Sequence, residues 1–229
     1  MKARLNRFCL LCLALTLSPF AGRASELIVN GAFDTDIPVV LSGFVSRQDV
    51  ASAFPKLLGT STANVGWYVV ASGNFFEVWQ AGFSGNPAGF GQHLELRAQS
   101  YIYQDFMVSQ PGSAVFSFLY TRGVSGPVPF SVSIGAPGAA GANNGSLLTP
   151  VGVNPAGPFS AFDTFSVAFP SVASGTYRLS FLDFAPTAST FSSLVDEVSF
   201  QFTPVPEPAT WTLLVAGILS GSIIWRRRA

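Results

Sequence analysis

The chain has 229 residues, of which twelve are basic and twelve acidic, and its hydrophobic side chains make up 48% of the total. This length allows one domain with a sizeable core, and the absence of a basic excess disfavours nucleic-acid binding, which needs a positive footprint. Phenylalanine and glycine, each present 22 times, are accompanied by many valine, serine and threonine residues. No apolar pattern of helical period lasts beyond about two turns, so we expect an all-β protein.

The N-terminus has the three parts of a secretory signal peptide. Basic residues precede an apolar run at 8–17, and small residues lead to Ala24. We predict cleavage after Ala24, so that residues 1–24 are the signal peptide. The apolar run is shorter than a membrane span, which counts against the alternative of an uncleaved membrane helix.

Removal of the leader changes the chemistry of the rest of the chain. The only cysteines, Cys9 and Cys12, lie in the leader, so the exported part has no thiol. Residues 25–203 contain eleven acidic and five basic side chains, a net charge near −6. Such a charge suits a solvated extracellular domain or one that binds a divalent cation, and it excludes nucleic acid as an expected partner.

The body of the chain is divided into short segments in which apolar residues alternate with polar ones or fill every position. These segments predict about ten strands, and such strands favour an antiparallel two-sheet β-sandwich. The predicted strands are residues 27–30, 66–71, 75–80, 93–98, 101–108, 114–120, 130–134, 162–169, 177–183 and 198–203.

Two features of this pattern bear on the site. In the segment 93–98, alternation puts Leu94 and Leu96 on one face and His93 and Glu95 on an outward polar face. Long loops are expected at 36–64, where a short helical segment near 46–58 fits the pattern, and at 135–159.

The exported part lacks the motifs of an enzyme. It has one histidine, no Gly-x-Ser-x-Gly turn and no clustered His/Cys site. The sequence therefore predicts no catalytic residue. A secreted hydrolase acting on polysaccharide remains the alternative, and it would need an acid pair such as Glu77 and Glu95.

The C-terminal residues 204–229 are arranged as a tail. Pro206, Glu207 and Pro208 precede an uncharged apolar run at 210–225, and the chain then ends on a basic cluster. The run is marginal in length for a transmembrane helix, and the basic cluster is expected to stay on the cytoplasmic side. The members of this cluster are Arg226, Arg227 and Arg228.

This tail resembles the PEP-CTERM sorting signal of exported bacterial proteins. The resemblance implies recognition by an exosortase-type processing enzyme and transient anchoring in the inner membrane by the helix 210–225. Cleavage near Pro206, Glu207 and Pro208 would then place the body at the cell surface or outside the cell, in bacteria that make extracellular polysaccharide.

The body contains six notable stretches: LIVNGAFD at 27–34, Gly66-Trp67, GNFFEVW at 73–79, QHLEL at 92–96, IYQDF at 102–106 and VDEVSF at 195–200. In this order they resemble the landmarks of galactose-binding-like jelly-roll domains, including the DUF642 and choice-of-anchor families and carbohydrate-binding modules. The resemblance implies a jelly-roll sandwich that is non-catalytic and binds carbohydrate of a biofilm matrix. An adhesion or protein-interaction module without sugar affinity is the other alternative.

Aromatic side chains are the candidates for a sugar-binding platform. Tyr101 and Tyr103 share a strand face with Asp105, which makes them the favoured pair. Trp67 and Trp79 are further candidates, and the sequence leaves open whether they form a platform or belong to the core.

One acidic residue is predicted to point inward. Alternation traced back from Phe202 and Phe200 puts Asp196 on the inward face, where a carboxylate needs a partner. In jelly rolls of the resembling families a structural calcium lies where the first and last strands meet, which implies Asp34, Asp196 and Glu26 as ligands. The alternative is that Asp196 caps its strand by accepting hydrogen bonds from backbone amides.

Overall fold

The structure, a computed structural model, describes residues 23–33, 44–48, 56–57, 66–70, 75–79, 92–96, 101–123, 126, 128–139, 142–158, 161–184 and 192–205. For 44–48, 56–57, 69–70 and 75–79 it describes the backbone alone. Residues 1–22 of the predicted signal peptide and the whole predicted helix 210–225 lie outside these residues. Within the described part, no helix has the length and apolarity needed to cross a membrane.

Residues Ala24–Thr203 form one compact unit. Its described residues make two antiparallel sheets, and these confirm the predicted all-β two-sheet sandwich. The strands are β1 (Ser25–Glu26), β2 (Phe44–Gln48), β3 (Lys56–Leu57), β4 (Trp67–Val70), β5 (Phe75–Trp79), β6 (His93–Leu96), β7 (Tyr101–Val108), β8 (Gly112–Arg122), β9 (Phe130–Gly135), β10 (Leu148–Val153), β11 (Asp163–Val172), β12 (Gly175–Asp183) and β13 (Ser193–Pro204). One sheet has the order β11-β8-β13-β6-β5-β2, with β1 added on β13, and the other has the order β10-β9-β12-β7-β4-β3.

Four observed strands, β1, β2, β3 and β10, were not predicted. Strands β2 and β3 occupy part of the segment 46–58, so the expected helix there is wrong. Strand β10 lies in the segment predicted as the loop 135–159 and contains Pro150 and Gly152. It is the edge strand of its sheet, a position that tolerates proline because one side of the backbone needs no partner.

The core between the sheets is built from phenylalanine. The ring of Phe118 meets that of Phe130 at 6.1 Å and that of Phe181 edge-on at 5.2 Å, which joins the two sheets. Trp67 extends this cluster, with its ring 6.2 Å from Phe181 and 5.3 Å from Phe33. Aromatic rings of this kind bury large areas and prefer such tilted or edge-to-face contacts.

The segment that follows β1 is held by a side chain instead of a strand. Gln104 on β7 accepts a hydrogen bond from Val29 N at 2.7 Å and donates one to Val29 O at 2.9 Å. The amide of Gln104 thus occupies the place of a neighbouring strand, and the predicted strand 27–30 is wrong. Gly66 makes room for this contact, because a Cβ atom there would lie 2.6 Å from Gln104 Nε2.

The chain then turns into the core through a left-handed backbone. Asn30 has φ 51° and Phe33 has φ 55°. The carbonyl of Asn30 accepts hydrogen bonds from Trp67 Nε1 at 3.1 Å and from Phe33 N at 3.2 Å. Between them Gly31 lies directly on β13, where its carbonyl accepts a hydrogen bond from Val198 N at 3.0 Å.

Strand β13 changes its partner and its phase at one residue. Val195 and Val198 both lie in the core although they are three positions apart, which an unbroken alternation does not allow. Between them Glu197 has φ 49°, the backbone of a bulge. Residues 193–195 pair with β6, and the N-terminal segment takes over that edge from Val198 onward.

We predict that Gly31→Ala lowers the free energy of unfolding by about 3 kcal/mol, because the added Cβ atom overlaps the backbone carbonyl of Val198. Gly152→Ala is the matched control, since nothing lies within 4 Å of the added atom, and it should change stability by less than about 0.5 kcal/mol. Chemical denaturation measures both. Equal stability of the two variants would contradict the close contact of Gly31 with β13.

Candidate functional site

The outward side of the β10-β9-β12-β7-β4-β3 sheet presents a group that we call the outer tyrosine face. It consists of Tyr68, Tyr101, Tyr103, Asp105 and Arg178. The residues of β7 in this group alternate with buried ones, and register places Tyr68 opposite Tyr103 and Arg178 opposite Asp105. The prediction that the two tyrosines of β7 share a face with Asp105 therefore agrees with the register.

Tyr103 lies at the centre of this face and supports its neighbours. The ring of Tyr68 stacks on it with centroids 5.2 Å apart and planes 15° from parallel. The guanidinium carbon of Arg178 lies 3.9 Å from its centroid, a cation–π contact. Tyr103 is only 4% exposed, and this burial raises the pKa of its phenol above the usual value. The partly exposed rings of Tyr68 and Tyr101 are the ones that a ligand could contact.

Arg178 fixes the position of the Tyr103 ring. Its Nε donates to Asp105 Oδ1 at 2.6 Å and its Nη2 donates to Asp105 Oδ2 at 2.8 Å, a bidentate pair. Its Nη1 donates to the carbonyl of Gly138 at 2.7 Å. The hydrogen bond to Asp105 is the first of the causes that raise the pKa of Arg178. The guanidinium charge is thereby neutralised within the face.

A loop between β9 and β10 is attached to the same face through Asn143. Its Nδ2 donates to the carbonyl of Ser133 at 3.1 Å, to the carbonyl of Arg178 at 3.0 Å and to Ser180 Oγ at 3.1 Å. One side-chain amide thus ties the loop to two strands. The sequence of this loop shows no alternation of apolar and polar residues, because its hydrogen bonds to the sheet are made by a side chain and not by a strand ladder.

The two tryptophan candidates differ. Trp67 is 0% exposed and is held in the core by Phe33, Phe181 and the carbonyl of Asn30, so no sugar can stack on it. The prediction of Trp67 as a platform residue is therefore wrong, and the alternative that it belongs to the core is correct. Trp79 lies on β5, and its side chain lies outside the described residues.

The buried carboxylate of Asp196 meets a histidine. Asp196 is 1% exposed, and its Oδ2 lies 3.1 Å from Nδ1 of His93, which is 0% exposed. Its Oδ1 accepts a hydrogen bond from Glu197 N at 2.7 Å. One carboxylate oxygen is therefore bonded to a backbone amide, as the alternative for Asp196 expected, and the other oxygen is paired with His93. The bulge at Glu197 puts Asp196 on the face of His93, and not on the face of Phe200 as alternation implied.

The expectation of an outward polar face on β6 is wrong. All four residues of this strand are buried, including Glu95 at 2% exposure, and the ring of Phe162 packs edge-on against His93 at 5.0 Å. Among the described residues, His93 Nε2 is buried and has no hydrogen-bond partner. A histidine and a carboxylate so deeply buried cannot touch a substrate in this conformation.

Glu26 is bound at the opposite end of β13. Its Oε1 accepts hydrogen bonds from Ile28 N and Phe200 N, both at 2.8 Å, and its Oε2 accepts from Ser199 Oγ and from Gln201 Nε2. The carboxylate therefore has four donors, all of which are protein groups.

A calcium ion shared by Glu26 and Asp196 does not fit these contacts. Their carboxylates accept hydrogen bonds from Phe200 N and Glu197 N, three residues apart on β13 and roughly 10 Å along a strand, whereas calcium ligands gather within about 2.6 Å of one ion. In the described part of the chain, no three His, Cys, Asp or Glu side chains are grouped as a metal site. Asp34 lies outside the described residues, so a site that joins Asp34 and Asp196 stays a prediction.

Comparison with known protein families identifies the tail. Residues 204–228 match the family model described as the PEP-CTERM protein-sorting motif, so the chain carries this motif, which indicates an exported, exosortase-processed protein. The matched span includes Pro206, Glu207, Pro208 and Arg226, Arg227 and Arg228, all outside the described residues. A search of curated proteins found no match.

The solved structures that are similar to the chain share little sequence identity with it. A Stig cyclase, Fisc, from Fischerella sp. TAU matches with a TM-score of 0.50 and 9% identity, covering 80% of this chain and 100% of that one. A CBM4 carbohydrate-binding module matches with a TM-score of 0.41 and 13% identity, covering 76% of this chain and 99% of that one. The CBM22-1–CBM22-2 tandem domain of Paenibacillus barcinonensis Xyn10C matches with a TM-score of 0.44 and 11% identity, over 83% of this chain and 49% of that one. These likenesses concern the fold alone.

We predict that Asp196→Asn flattens the pH dependence of stability on the acid side of neutrality. Burial is the main cause that raises the pKa of Asp196 above 3.8, against the lowering effect of the His93 hydrogen bond. The folded protein then keeps a proton that the unfolded chain has lost, so stability falls as pH rises from about the ordinary value to the raised one. Urea denaturation between pH 3.5 and 7 measures this slope. A slope identical in the wild type and the variant would contradict the burial of an ionisable Asp196.

The predicted calcium site is tested by thermal unfolding with and without EDTA. A calcium held by Asp34 and Asp196 predicts a lower melting temperature in EDTA, and an Asp34→Asn variant that no longer responds to the chelator. Glu26→Gln serves as the control that should keep the response, since Glu26 does not share an ion with Asp196. Melting unaffected by EDTA in the wild type contradicts the site.

Proposed function

We propose that this protein is an exported, non-catalytic matrix domain that binds neutral polysaccharide through the outer tyrosine face. The observation that carries the proposal is the stack of Tyr68 on Tyr103, which Arg178 and Asp105 hold in place, with Tyr101 two positions away on the same face of β7. Flat aromatic rings held rigidly at a surface suit stacking on a pyranose, because little side-chain entropy remains to be lost on binding. Names among the similar structures, which include carbohydrate-binding modules, agree with this choice.

The destination of the domain follows from the tail. The sorting motif at 204–228 supports processing by an exosortase-type enzyme. We further propose that the helix 210–225 anchors the chain transiently in the inner membrane, and that cleavage near Pro206, Glu207 and Pro208 delivers residues 25–203 to the cell surface or the extracellular matrix.

The charges of the domain favour a neutral sugar over an acidic one. The exported residues carry a net charge near −6, which repels polyanions. Arg178, the cation of the outer tyrosine face, is already bound by both oxygens of Asp105. A uronate or sulfate group would have to displace that carboxylate, whereas a neutral sugar can stack without disturbing it.

The burial of the acidic groups weighs against the hydrolase alternative. Glu77 and Glu95 are paired in register on β5 and β6, but Glu95 is 2% exposed. A glycosidase needs both carboxylates at the scissile bond, where a substrate can reach them. The adhesion alternative makes no demand on the tyrosines, and so binding measurements separate it from the proposal.

The test is glycan binding by the fragment 24–205, which comprises the compact unit and the end of β13. We expect binding to neutral polysaccharides, and about tenfold weaker binding for Tyr68→Ala and for Tyr101→Ala, a loss of about 1.4 kcal/mol each. Met107→Ala is the matched control, because Met107 lies 69% exposed on the same side of β7 away from the tyrosines.

The outcomes discriminate among the alternatives. Binding that survives in both tyrosine variants would place the sugar elsewhere and refute the outer tyrosine face as its site. No binding to any glycan would favour the adhesion module. Turnover of a polysaccharide that Glu95→Gln abolishes would establish the hydrolase.

A further inference from the structure

The two ends of the compact unit leave it side by side. In the pairing of β1 with β13, Ser25 lies opposite Phe202 and Glu26 lies opposite Gln201. The predicted leader ends one residue before Ser25. Strand β13 ends at Pro204, and the match to the sorting motif begins at residue 204. The last ordered strand therefore runs into the sorting tail without a linker.

The pairing itself is too short to be stable through its backbone alone. Strand β1 has two residues, and the segment after it adds two backbone hydrogen bonds to β13, from Leu27 N to Phe200 O at 3.1 Å and from Val198 N to Gly31 O at 3.0 Å. Strands of such length gain little from the ladder. A side-chain interaction strengthens this edge of β13, which β6 leaves after Val195.

That interaction is the carboxylate of Glu26. It takes hydrogen bonds from three consecutive residues of β13, namely Ser199 Oγ, Phe200 N at 2.8 Å and Gln201 Nε2 at 2.7 Å. Its fourth donor, Ile28 N, fixes the turn of its own segment at 2.8 Å. Hydrogen bonds to an ionised acceptor are about twice as strong as neutral ones. One side chain thus fastens the N-terminal segment to the last strand.

We propose that β1 and Glu26 form a latch that sets the N-terminal limit of proteolytic processing of the sorting tail. The proposal rests on the proposed sorting of this chain by an exosortase-type protease. A protease hydrolyses a peptide bond with one water, and it leaves a carboxylate on the domain and an amine on the released tail. It needs an extended segment that is free of neighbouring strands, so β8 on one edge of β13 and the closed latch on the other together restrict cutting to bonds beyond Pro204.

The first experiment maps the C-terminus of the processed protein by mass spectrometry after expression of the full chain in its exporting host. We expect wild-type products that end at or beyond Pro204, and Glu26→Ala products in which at least half of the molecules end within residues 199–203. Glu26→Gln retains the acceptor for Ile28 N and Phe200 N, and should restore most of the wild-type end. Asp105→Ala is the control, since it breaks an ion pair of the other sheet and should leave the end unchanged.

The second experiment measures hydrogen exchange on the secreted protein. The Phe200 amide, which donates to Glu26, should exchange at least tenfold faster in Glu26→Ala, while the amide of Leu179 on β12 should not change. Unchanged exchange at Phe200, or identical product ends in wild type and Glu26→Ala, would overturn the latch. A shift of the ends in Asp105→Ala as well would also overturn it, because general destabilisation would then explain the cut. If no tail is ever removed, the sorting proposal fails and the exchange result decides the latch on its own.

Discussion

The pairing of one glutamine side chain with the backbone of Val29 is the contact on which the N-terminal part of the sandwich depends. Gln104 satisfies both the N–H and the carbonyl of Val29, so a segment that cannot join a strand ladder is still fixed on the sheet. With Val29 held, the turn at Asn30 places its carbonyl under the indole of Trp67 and places Gly31 on β13. The same segment carries Glu26 to the other end of that strand. The opening stretch of the chain therefore acts as a strap across both sheets.

The fold class and most strands could be predicted because alternation survives wherever one face of a strand is buried. Strand β7 has the bounds that its pattern indicates, and the core phenylalanines of β8 and β12 follow period two. Prediction failed where a single residue changes the phase. The left-handed backbone at Glu197 reverses the alternation of β13, and a glutamate side chain gives no indication of such a backbone. It failed again at β10, where Pro150 and Gly152 conceal an edge strand, and at β6, whose polar residues are covered from outside.

The residues of the candidate site were likewise predicted only in part. The shared face of Tyr101, Tyr103 and Asp105 was accessible from spacing alone, whereas Arg178 comes from a strand more than seventy residues later and is joined to them only by register. The partner of Asp196 is equally distant in sequence, since His93 is 103 positions away. The motif residues Asn30, Gly31, Gly66 and Trp67 explain the resemblance to jelly-roll families by their structural roles. They hold the N-terminal segment on the sheets. The tyrosines that we propose for sugar binding lie on the outer tyrosine face instead.

The placement of β13 in its sheet has a mechanical consequence. This strand lies in the interior of its sheet, with β8 on one edge and first β6 and then the N-terminal segment on the other, and it continues directly into the tail. A pull on the C-terminal end would load the hydrogen bonds of both neighbours along the strand, in shear and all at once, instead of peeling them one at a time from an edge. A domain held at a surface by this end would resist flow with the strength of its central strand.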